Sequence, residues 1–365
     1  MTAQAGPDTL IGKPVDALTT PCIVVDAPAL EHNLRLLADY FAGRHCKLRP
    51  HFKAHKCVEL ARRQLAAGST SGITCAKLSE AEVLVAGGIT DILIANEVVG
   101  ARKARRVAEL NRRATVRVAV DSPGNVEELA TAARNAGVIV GVLVEVDIGM
   151  NRCGVSPGKP TLDLASKVCE AGSLRFEGLQ GYEGHVVQRE DPDERRRGVF
   201  ASMALLMETK ALLLEHGLPV HIVSSGGTGT YDMTGNVDGV DEVQCGTYAL
   251  MDACYKRIRP EFQVASFLLS TVVSSRGTKV VADVGTKGMG CEFGPPLVEG
   301  FPDAQVLYVA DEHTPIEHVR AEVGDRIRLI PSHGCTTHNL HRRMWVVRDG
   351  TLAAVWAIEG SGCLE

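Results

Sequence analysis

The sequence predicts an α/β fold, a (β/α)8 barrel of the TIM type followed by a C-terminal all-β domain. Three observations predict it. After Thr20, eight short apolar runs rich in β-branched residues alternate with longer stretches of helical period. Several of these runs end in polar residues, which barrel enzymes use at the carboxyl ends of their strands. After about Pro260, short alternating runs broken by glycine and proline replace this pattern.

The eight runs account for the strands of the barrel. Eight pairs of run and helix are what a TIM-type barrel needs, whereas a doubly wound sheet usually stops nearer six strands. In chain order the runs are LRPHFK (48–53), GITCAK (72–77), ILIAN (92–96), TVRVAVDS (115–122), VLVEVDIG (142–149), FEGLQGYEG (176–184), HIVSSGG (221–227) and DEVQCGTY (241–248).

The two ends of the chain form the predicted second domain. Segments such as TKVVADVG, DRIRLIPSHG and RRMWVVRDGTLAAVWAIEG alternate in the way of half-buried strands. We expect the first two dozen residues to return and pack on them. The barrel is therefore assigned to residues 25–258, and a β-strand domain to residues 1–24 with 259–365.

Composition and charge favour a soluble cytoplasmic protein. The formal net charge is -5, with both signs interspersed, so no basic stripe is present to bind nucleic acid. The eleven cysteines are scattered singly, which favours reduced thiols. The first residues lack the basic and apolar blocks of a signal peptide, and no apolar run approaches the roughly 20 residues of a membrane span.

Lys53 is the first candidate for chemistry. It ends the first run, in RPHFKAHK, among other cationic or titratable side chains: Arg49, His51, His55 and Lys56. Neighbouring positive charge lowers the pKa of a lysine and makes its amine a better Schiff-base nucleophile. An exposed basic turn explains this segment alone equally well, so the later segments decide between the two interpretations.

Two glycine-rich segments follow the seventh and eighth runs. SSGGTGTY (224–231) and QCGTY (244–248) expose backbone N–H groups, and barrels frequently bind a phosphate at this position. Tight turns alone also explain single glycines. A lysine on the first run combined with such a site is more specific. The candidate phosphate-binding residues are Gly226, Gly227, Thr228, Gly229, Gly246, Thr247 and Tyr248.

Arg152 follows the fifth run, in VDIGMNRCG. At the mouth of the barrel its guanidinium could donate to an ionised phenolic oxygen. The alternative is an ordinary salt bridge with Asp147 or Glu145.

The whole set of motifs resembles the D-threonine aldolase and D-serine dehydratase family of alanine racemase-like, fold-type III pyridoxal-phosphate enzymes. The resemblance spans nearly the whole chain and is closest overall to the aldolases. The motifs are TPCIVVD at Thr20, RPHFKAHK at Arg49, KLSEAEV at Lys77, NEVVG at Asn96, VEVDIGMNRCG at Val144, GLQGYEG at Gly178, SSGGTGTY at Ser224, EVQCGTYALMD at Glu242, DEH at Asp311 and IPSHGCTT at Ile330.

The resemblance implies a bound cofactor and an assembly. Pyridoxal 5'-phosphate would be held covalently by Lys53, with Arg152 near its O3′ oxygen, Tyr182 near its ring and both glycine segments on its phosphate. It also implies a homodimer in which the β domain of one subunit approaches the barrel mouth of the other.

His333 and Cys335, in PSHGCTT, are candidate metal ligands. In an extended segment their side chains leave the same face, and an imidazole with a thiolate suits zinc. The alternative is an unliganded histidine and a buried cysteine. The resemblance supports the metal, with manganese or magnesium also possible, and the cysteine stands where the aldolases carry an aspartate.

The resemblance implies a lyase acting on small D-3-hydroxy amino acids. Most barrel motifs look like the aldolases, which release glycine and an aldehyde, and we expect this reaction. The metal segment looks like the dehydratases, which release a keto acid and ammonia. Glu183 and His185 are the candidate bases. A non-catalytic carrier of the cofactor is a third alternative.

Overall fold

The computed structural model describes residues 7–365, so residues 1–6 of the predicted β-strand domain lie outside the described part. The chain divides into two compact units. The barrel unit comprises Leu37–Lys53, Ala61–Gly246 and Cys363–Glu365. The β unit comprises the described residues up to Leu36, together with Ala54–Leu60 and Thr247–Gly362.

Strands and helices are numbered in chain order. The strands are β1 (Cys22–Asp26), β2 (Lys47–Leu48), β3 (Ile73–Cys75), β4 (Asp91–Glu97), β5 (Thr115–Val120), β6 (Val140–Glu145), β7 (Leu174–Gln180), β8 (Ile222–Ser225), β9 (Glu242–Val243), β10 (Ser266–Arg276), β11 (Lys279–Ala282), β12 (Leu297–Val298), β13 (Gln305–Val306), β14 (Thr314–Glu317), β15 (Arg326–Ile330), β16 (Arg343–Arg348) and β17 (Thr351–Ala357). The helices are α1 (Ala27–Phe41), α2 (Val58–Ala66), α3 (Leu78–Ala86), α4 (Ala101–Leu110), α5 (Pro123–Ala136), α6 (Lys159–Glu170), α7 (Pro192–Glu215), α8 (Tyr231–Thr234), α9 (Ala253–Ile258) and α10 (Gly334–Leu340).

Eight parallel strands form the TIM-like barrel that the sequence predicts. They are β2 to β9, and each overlaps one of the eight predicted runs. Their order is β2-β9-β8-β7-β6-β5-β4-β3, and single parallel bridges between His51 and Thr74 and between Leu48 and Thr70 connect the two edge strands. Strand β6 is buried along its whole length, as expected where a parallel strand is covered on both faces.

Arg49 has acidic partners that the sequence did not predict. It is 2% exposed, and its guanidinium forms ion pairs with Glu242 at 2.7 Å and Asp91 at 2.8 Å. Its positive charge is therefore neutralised within the barrel. A buried guanidinium needs acidic partners, and the sequence indicated Arg49 only as a cation near Lys53 without predicting them.

The β unit is built on a nine-stranded sheet. Its main path runs β13-β14-β11-β10-β1-β16-β17, and β15 pairs with both β10 and β12. Strand β1, from near the start of the chain, lies between β10 and β16. Apolar side chains such as Leu268, Val280, Ile316 and Leu329 form one core of this unit. No helix among the described residues is both long and apolar enough to cross a membrane.

Candidate active site

Three of the predicted site residues in the barrel unit surround the ring of Tyr182. The Nζ atom of Lys53 lies 6.0 Å from the centre of this ring, and the Cζ atom of Arg152 lies 5.6 Å from it. A Cβ atom added at Gly227 would lie 3.6 Å from the same ring. The fold thus brings together an amine, a guanidinium and a glycine turn that are far apart in the sequence.

The segment that carries Lys53 is fixed to the segment before Gly246. Lys53 lies in a 3-10 turn directly after β2, and the backbone N–H of His51 donates to the carbonyl of Cys245 at 2.9 Å. The His51 ring is 5% exposed, and its Nδ1 accepts the backbone N–H of Lys53 at 3.4 Å. The sequence indicated His51 only as a nearby cation and did not predict this contact.

The glycine turn after β8 requires glycine at two positions. Gly226 has a φ of +71°, which side chains rarely adopt. At Gly229, an added Cβ would lie 2.0 Å from the carbonyl oxygen of Val187, so the two backbone segments touch. The turn is therefore packed tightly against its own unit, and its conformation is defined before any ligand binds.

We expect Gly229→Ala to destabilise the protein by about 1–3 kcal/mol, because the added methyl group must displace the Val187 backbone. It should also weaken the phosphate binding that the sequence predicts for this turn. Urea unfolding of the apoprotein measures the first effect. Gly124→Ala is the matched control, since Gly124 lies in α5 with open space around it. Equal unfolding free energies for the two variants would contradict the prediction.

Glu183, a predicted base, is fully buried. Its carboxylate accepts four hydrogen bonds from the glycine turn and the helix that follows it. The donors are the Gly226 N–H (3.2 Å) and the hydroxyls of Ser225 (3.2 Å), Thr230 (2.7 Å) and Thr234 (2.5 Å). A carboxylate held by four donors fixes the turn, and this arrangement favours a positioning role over proton transfer to a substrate.

His185, the other predicted base, is exposed. Its ring lies over the loop after β6, where its Cε1 atom would be 3.1 Å from a Cβ added at Gly149. This loop also carries Arg152. His185 is therefore accessible for proton transfer in a way that Glu183 is not.

Arg152 forms the ion pair with Glu145 that the sequence left open as an alternative, and its donation to a phenolic oxygen stays a prediction. Its side chain is 47% exposed and faces Tyr182, while its Nη2 atom lies 3.7 Å from the Oε1 atom of Glu145. Burial and the neighbouring charge of Glu97 raise the pKa of Glu145 to about 8. The sequence named Glu145 only as a possible partner of Arg152, and it did not predict the contacts of Glu145 with Gln180 and Glu97, which lie on other strands.

Thr247 and Tyr248 belong to the β unit, whereas Gly246 belongs to the barrel unit. Thr247 begins a 3-10 turn that ends at Ala249. Tyr248 is 1% exposed, and its ring centre lies 6.0 Å from that of Phe262. The Tyr248 ring therefore packs in the interior.

The segment with His333 and Cys335 is not extended, and that prediction is wrong. His333 has extended backbone angles but immediately precedes α10, and Cys335 is the second residue of this helix. The helix forms because the Asp252 carboxylate accepts the N–H of Gly334 at 3.1 Å and the Thr337 N–H bonds back to His333. The two candidate ligands are therefore placed by a helix start and not by one face of a strand.

The His333 ring is oriented through its Nδ1 atom. This atom lies 2.9 Å from the Thr336 hydroxyl and 3.6 Å from a carboxylate oxygen of Glu292. The ring of Phe293 lies against the imidazole, with centres 4.6 Å apart. Metal-bound histidines usually hold their second nitrogen in this way, with a carboxylate or another acceptor, so the Nε2 atom is the one left for a metal.

His338, on the same helix, is a structural histidine. It is 1% exposed, and its Nδ1 and Nε2 atoms bond to the Ala54 carbonyl at 2.8 Å and the Ser266 hydroxyl at 3.0 Å. Burial lowers the pKa of His338 to about 4. Both nitrogens are engaged, so His338 is not a candidate ligand.

Two family models match consecutive parts of the chain. The model of the alanine racemase N-terminal domain matches residues 25–253, and that of a putative serine dehydratase domain matches residues 265–347. The chain is 37% identical to D-threonine aldolase of Arthrobacter sp over 96% of its length and 95% of that protein. It is 35% identical to 3-hydroxy-D-aspartate aldolase of Paracoccus denitrificans (strain Pd 1222) over 97% of its own length and 95% of that protein.

The solved structures agree with this result. The crystal structure of D-threonine aldolase from Filomicrobium marinum superposes with a TM-score of 0.94, at 37% identity, over 97% of this chain and 99% of that chain. The fold and its domain models define an alanine racemase-like barrel enzyme. Within this class, the chain belongs to the D-threonine aldolase and D-serine dehydratase family, as its motifs predicted.

Proposed function

We propose that the protein is a lyase, dependent on pyridoxal phosphate and a divalent metal, that cleaves D-threonine-like 3-hydroxy amino acids to glycine and an aldehyde. The observation that carries the proposal is the approach of Lys53, Arg152 and Gly227 to one ring, that of Tyr182. The aldolase relatives that match along nearly the whole chain support the retro-aldol reaction.

The residues around Tyr182 fit pyridoxal phosphate. Lys53 would hold the cofactor through its amine, Arg152 would donate to its ring oxygen, and the turn at Gly226–Gly229 would bind its phosphate through backbone N–H groups. When bound, this cofactor accepts the electron pair released at the Cα atom of an amino acid. Glu183 would keep the turn in shape, and His185 would take the proton of the substrate hydroxyl.

The residues at the start of α10 fit a divalent metal. His333 would bind it through Nε2, since Nδ1 is held by Thr336 and Glu292, and Cys335 would add a thiolate. This donor set suits zinc better than manganese or magnesium. Such an ion supplies Lewis acidity toward a substrate hydroxyl.

A dehydratase that releases a keto acid and ammonia is the second candidate. The chain is 28% identical to D-threo-3-hydroxyaspartate dehydratase of Delftia sp. (strain HT23). Solved variants of that dehydratase replace a histidine and a cysteine two residues apart, and the cysteine variant is described in a metal-free form. His333 and Cys335 have the same spacing, so this observation specifically favours the alternative.

The resemblance supports two further proposals. The protein would act as a homodimer in which the β unit of one subunit approaches the barrel of the other. It would work in the cytoplasm on small D-amino acids.

Product analysis tests the proposed reaction. The purified protein is reconstituted with pyridoxal phosphate and zinc or manganese, then incubated with D-threonine, D-serine or D-phenylserine, with L-threonine as the stereochemical control. We expect glycine with acetaldehyde from D-threonine, with benzaldehyde from D-phenylserine and with formaldehyde from D-serine, and no product from L-threonine. Keto acid and ammonia would instead establish the dehydratase, and absence of turnover with every D-substrate and metal would contradict both functions.

A further inference from the structure

Acidic side chains lie together at the carboxyl ends of three neighbouring barrel strands. Glu97 ends β4, Asp121 follows β5 and Glu145 ends β6. Glu97 and Asp121, with the thiol of Cys153, place ligand-type atoms within 4.8 Å of one another. These side chains therefore form one cluster at the carboxyl ends of the strands.

Glu145 is fixed from two sides. It is 3% exposed, and its Oε2 atom accepts a hydrogen bond from the Gln180 side chain at 2.8 Å, while its Oε1 atom lies 3.7 Å from Arg152. Gln180 in turn accepts from Gln244 at 3.1 Å, and Gln244 donates to the Ser224 hydroxyl at 2.8 Å. This chain of contacts connects Arg152 to residues at the ends of β6, β7, β8 and β9, so the position of Glu145 is set by the barrel itself.

Glu97 completes the environment of Glu145. The two carboxyl groups lie within hydrogen-bonding reach of each other, and the Cys153 thiol also hydrogen-bonds to Glu97. The Oε1 atom of Glu97 is buried without a hydrogen-bond partner among the described residues. Two carboxyl groups in contact are stable when one proton lies between them.

We propose that Glu145 positions the guanidinium of Arg152 and that it shares one proton with Glu97, so that the pair presents a single negative charge to Arg152. This inference rests on the proposed function, in which Arg152 faces the ring oxygen of the cofactor. The carboxyl pair then places one negative charge on one side of the guanidinium, and the ring oxygen of the cofactor places one on the other side. The guanidinium can therefore remain over Tyr182. A second negative charge would draw it toward the end of β6.

The charges around the pair support this account. Burial first, and then the charge of Glu97, raises the pKa of Glu145 to about 8, while Arg152 and the Gln180 hydrogen bond oppose the rise. Asp121 also faces the pair, although its Oδ2 atom accepts the Gly154 N–H at 3.2 Å. Since the raised pKa keeps the proton bound below about pH 8, the second charge forms only as the pH rises past that value.

Infrared spectroscopy of the apoprotein tests the shared proton without cofactor or substrate. The wild type should show a carboxylic-acid C=O band that disappears between pH 7 and pH 9, and Glu145→Gln should remove this transition. Glu97→Gln should move it to lower pH. Glu215→Gln, at an exposed position on α7, is the matched control and should leave the transition unchanged. An unchanged transition in Glu145→Gln would overturn the proposal, and Glu97→Gln keeps the test valid if the first variant does not fold.

The positioning role is tested in the protein loaded with pyridoxal phosphate. In Glu145→Gln the absorption spectrum of the bound cofactor should no longer change with pH around 8, and kcat should fall about tenfold to a hundredfold with little change in KM. A spectrum and pH profile like the wild type would show that Arg152 needs no such partner. If the wild-type apoprotein titrates as expected but no lyase activity is found, the proposed function fails while the shared proton stands.

Discussion

Lys53→Ala is expected to lower kcat/KM by at least about 10²–10⁴-fold. The amine of Lys53 lies near Tyr182 together with Arg152, where it can bind the cofactor covalently. Borohydride reduction of the loaded wild type, followed by peptide mass spectrometry, should find the cofactor on Lys53. The variant should bind it only reversibly.

Lys159→Ala is the matched control for this prediction. Lys159 is an exposed lysine on α6 whose ammonium pairs only with Asp163 in the described contacts. It should retain wild-type activity and wild-type labelling. Covalent labelling at any lysine other than Lys53, or substantial activity in Lys53→Ala, would show that the site is elsewhere.

His333→Ala and Cys335→Ala are each expected to lose the bound metal and about 100-fold or more of the activity. Substitution of a residue that only hydrogen-bonds to a metal ligand already lowers metal affinity or activity by about 10–100-fold, and loss of a ligand should have a larger effect. The folded protein should still bind pyridoxal phosphate, since its proposed ligands around Tyr182 belong to the barrel unit. Elemental analysis for metal, together with the absorbance of the bound cofactor, separates the two effects. Chelation of the wild type should have the same result.

His216→Ala and Cys169→Ala are the controls, since both residues are exposed and lie on other helix ends. They should keep metal and activity. Cys335→Asp is expected to shift the preference from zinc toward manganese or magnesium, because carboxylate oxygens suit harder ions. Full metal content in both His333→Ala and Cys335→Ala would disprove the assignment of these ligands.

The barrel could be predicted from the sequence because its signals are local. Runs of β-branched residues, helical periods between them and polar residues at the ends of the runs need no knowledge of tertiary contacts. The glycine turn has a local signal too, since Gly226 needs positive φ, whereas the Lys53 segment alone equally fits an exposed basic turn. A glycine-rich segment of this kind indicates a tight turn without knowledge of its tertiary contacts.

The partners of buried charges could not be predicted in this way. Arg49 looks like a surface cation in the sequence, yet Glu242, nearly two hundred residues away, neutralises it. Glu183 looks like a free base, but hydroxyls on a distant segment hold it. The helix that begins at Gly334 depends on Asp252, so the sequence around Cys335 alone does not determine its local structure.

The proposed reaction breaks the bond between the substrate Cα and Cβ and leaves the bond between Cα and hydrogen intact. The most direct test uses D-threonine with deuterium at Cα and follows both the rate and the label by NMR and mass spectrometry. The proposed lyase should show no primary isotope effect on cleavage and should leave the deuterium in the glycine that it releases. A primary isotope effect, with the deuterium lost to solvent and a keto acid formed, would contradict the account and establish the dehydratase.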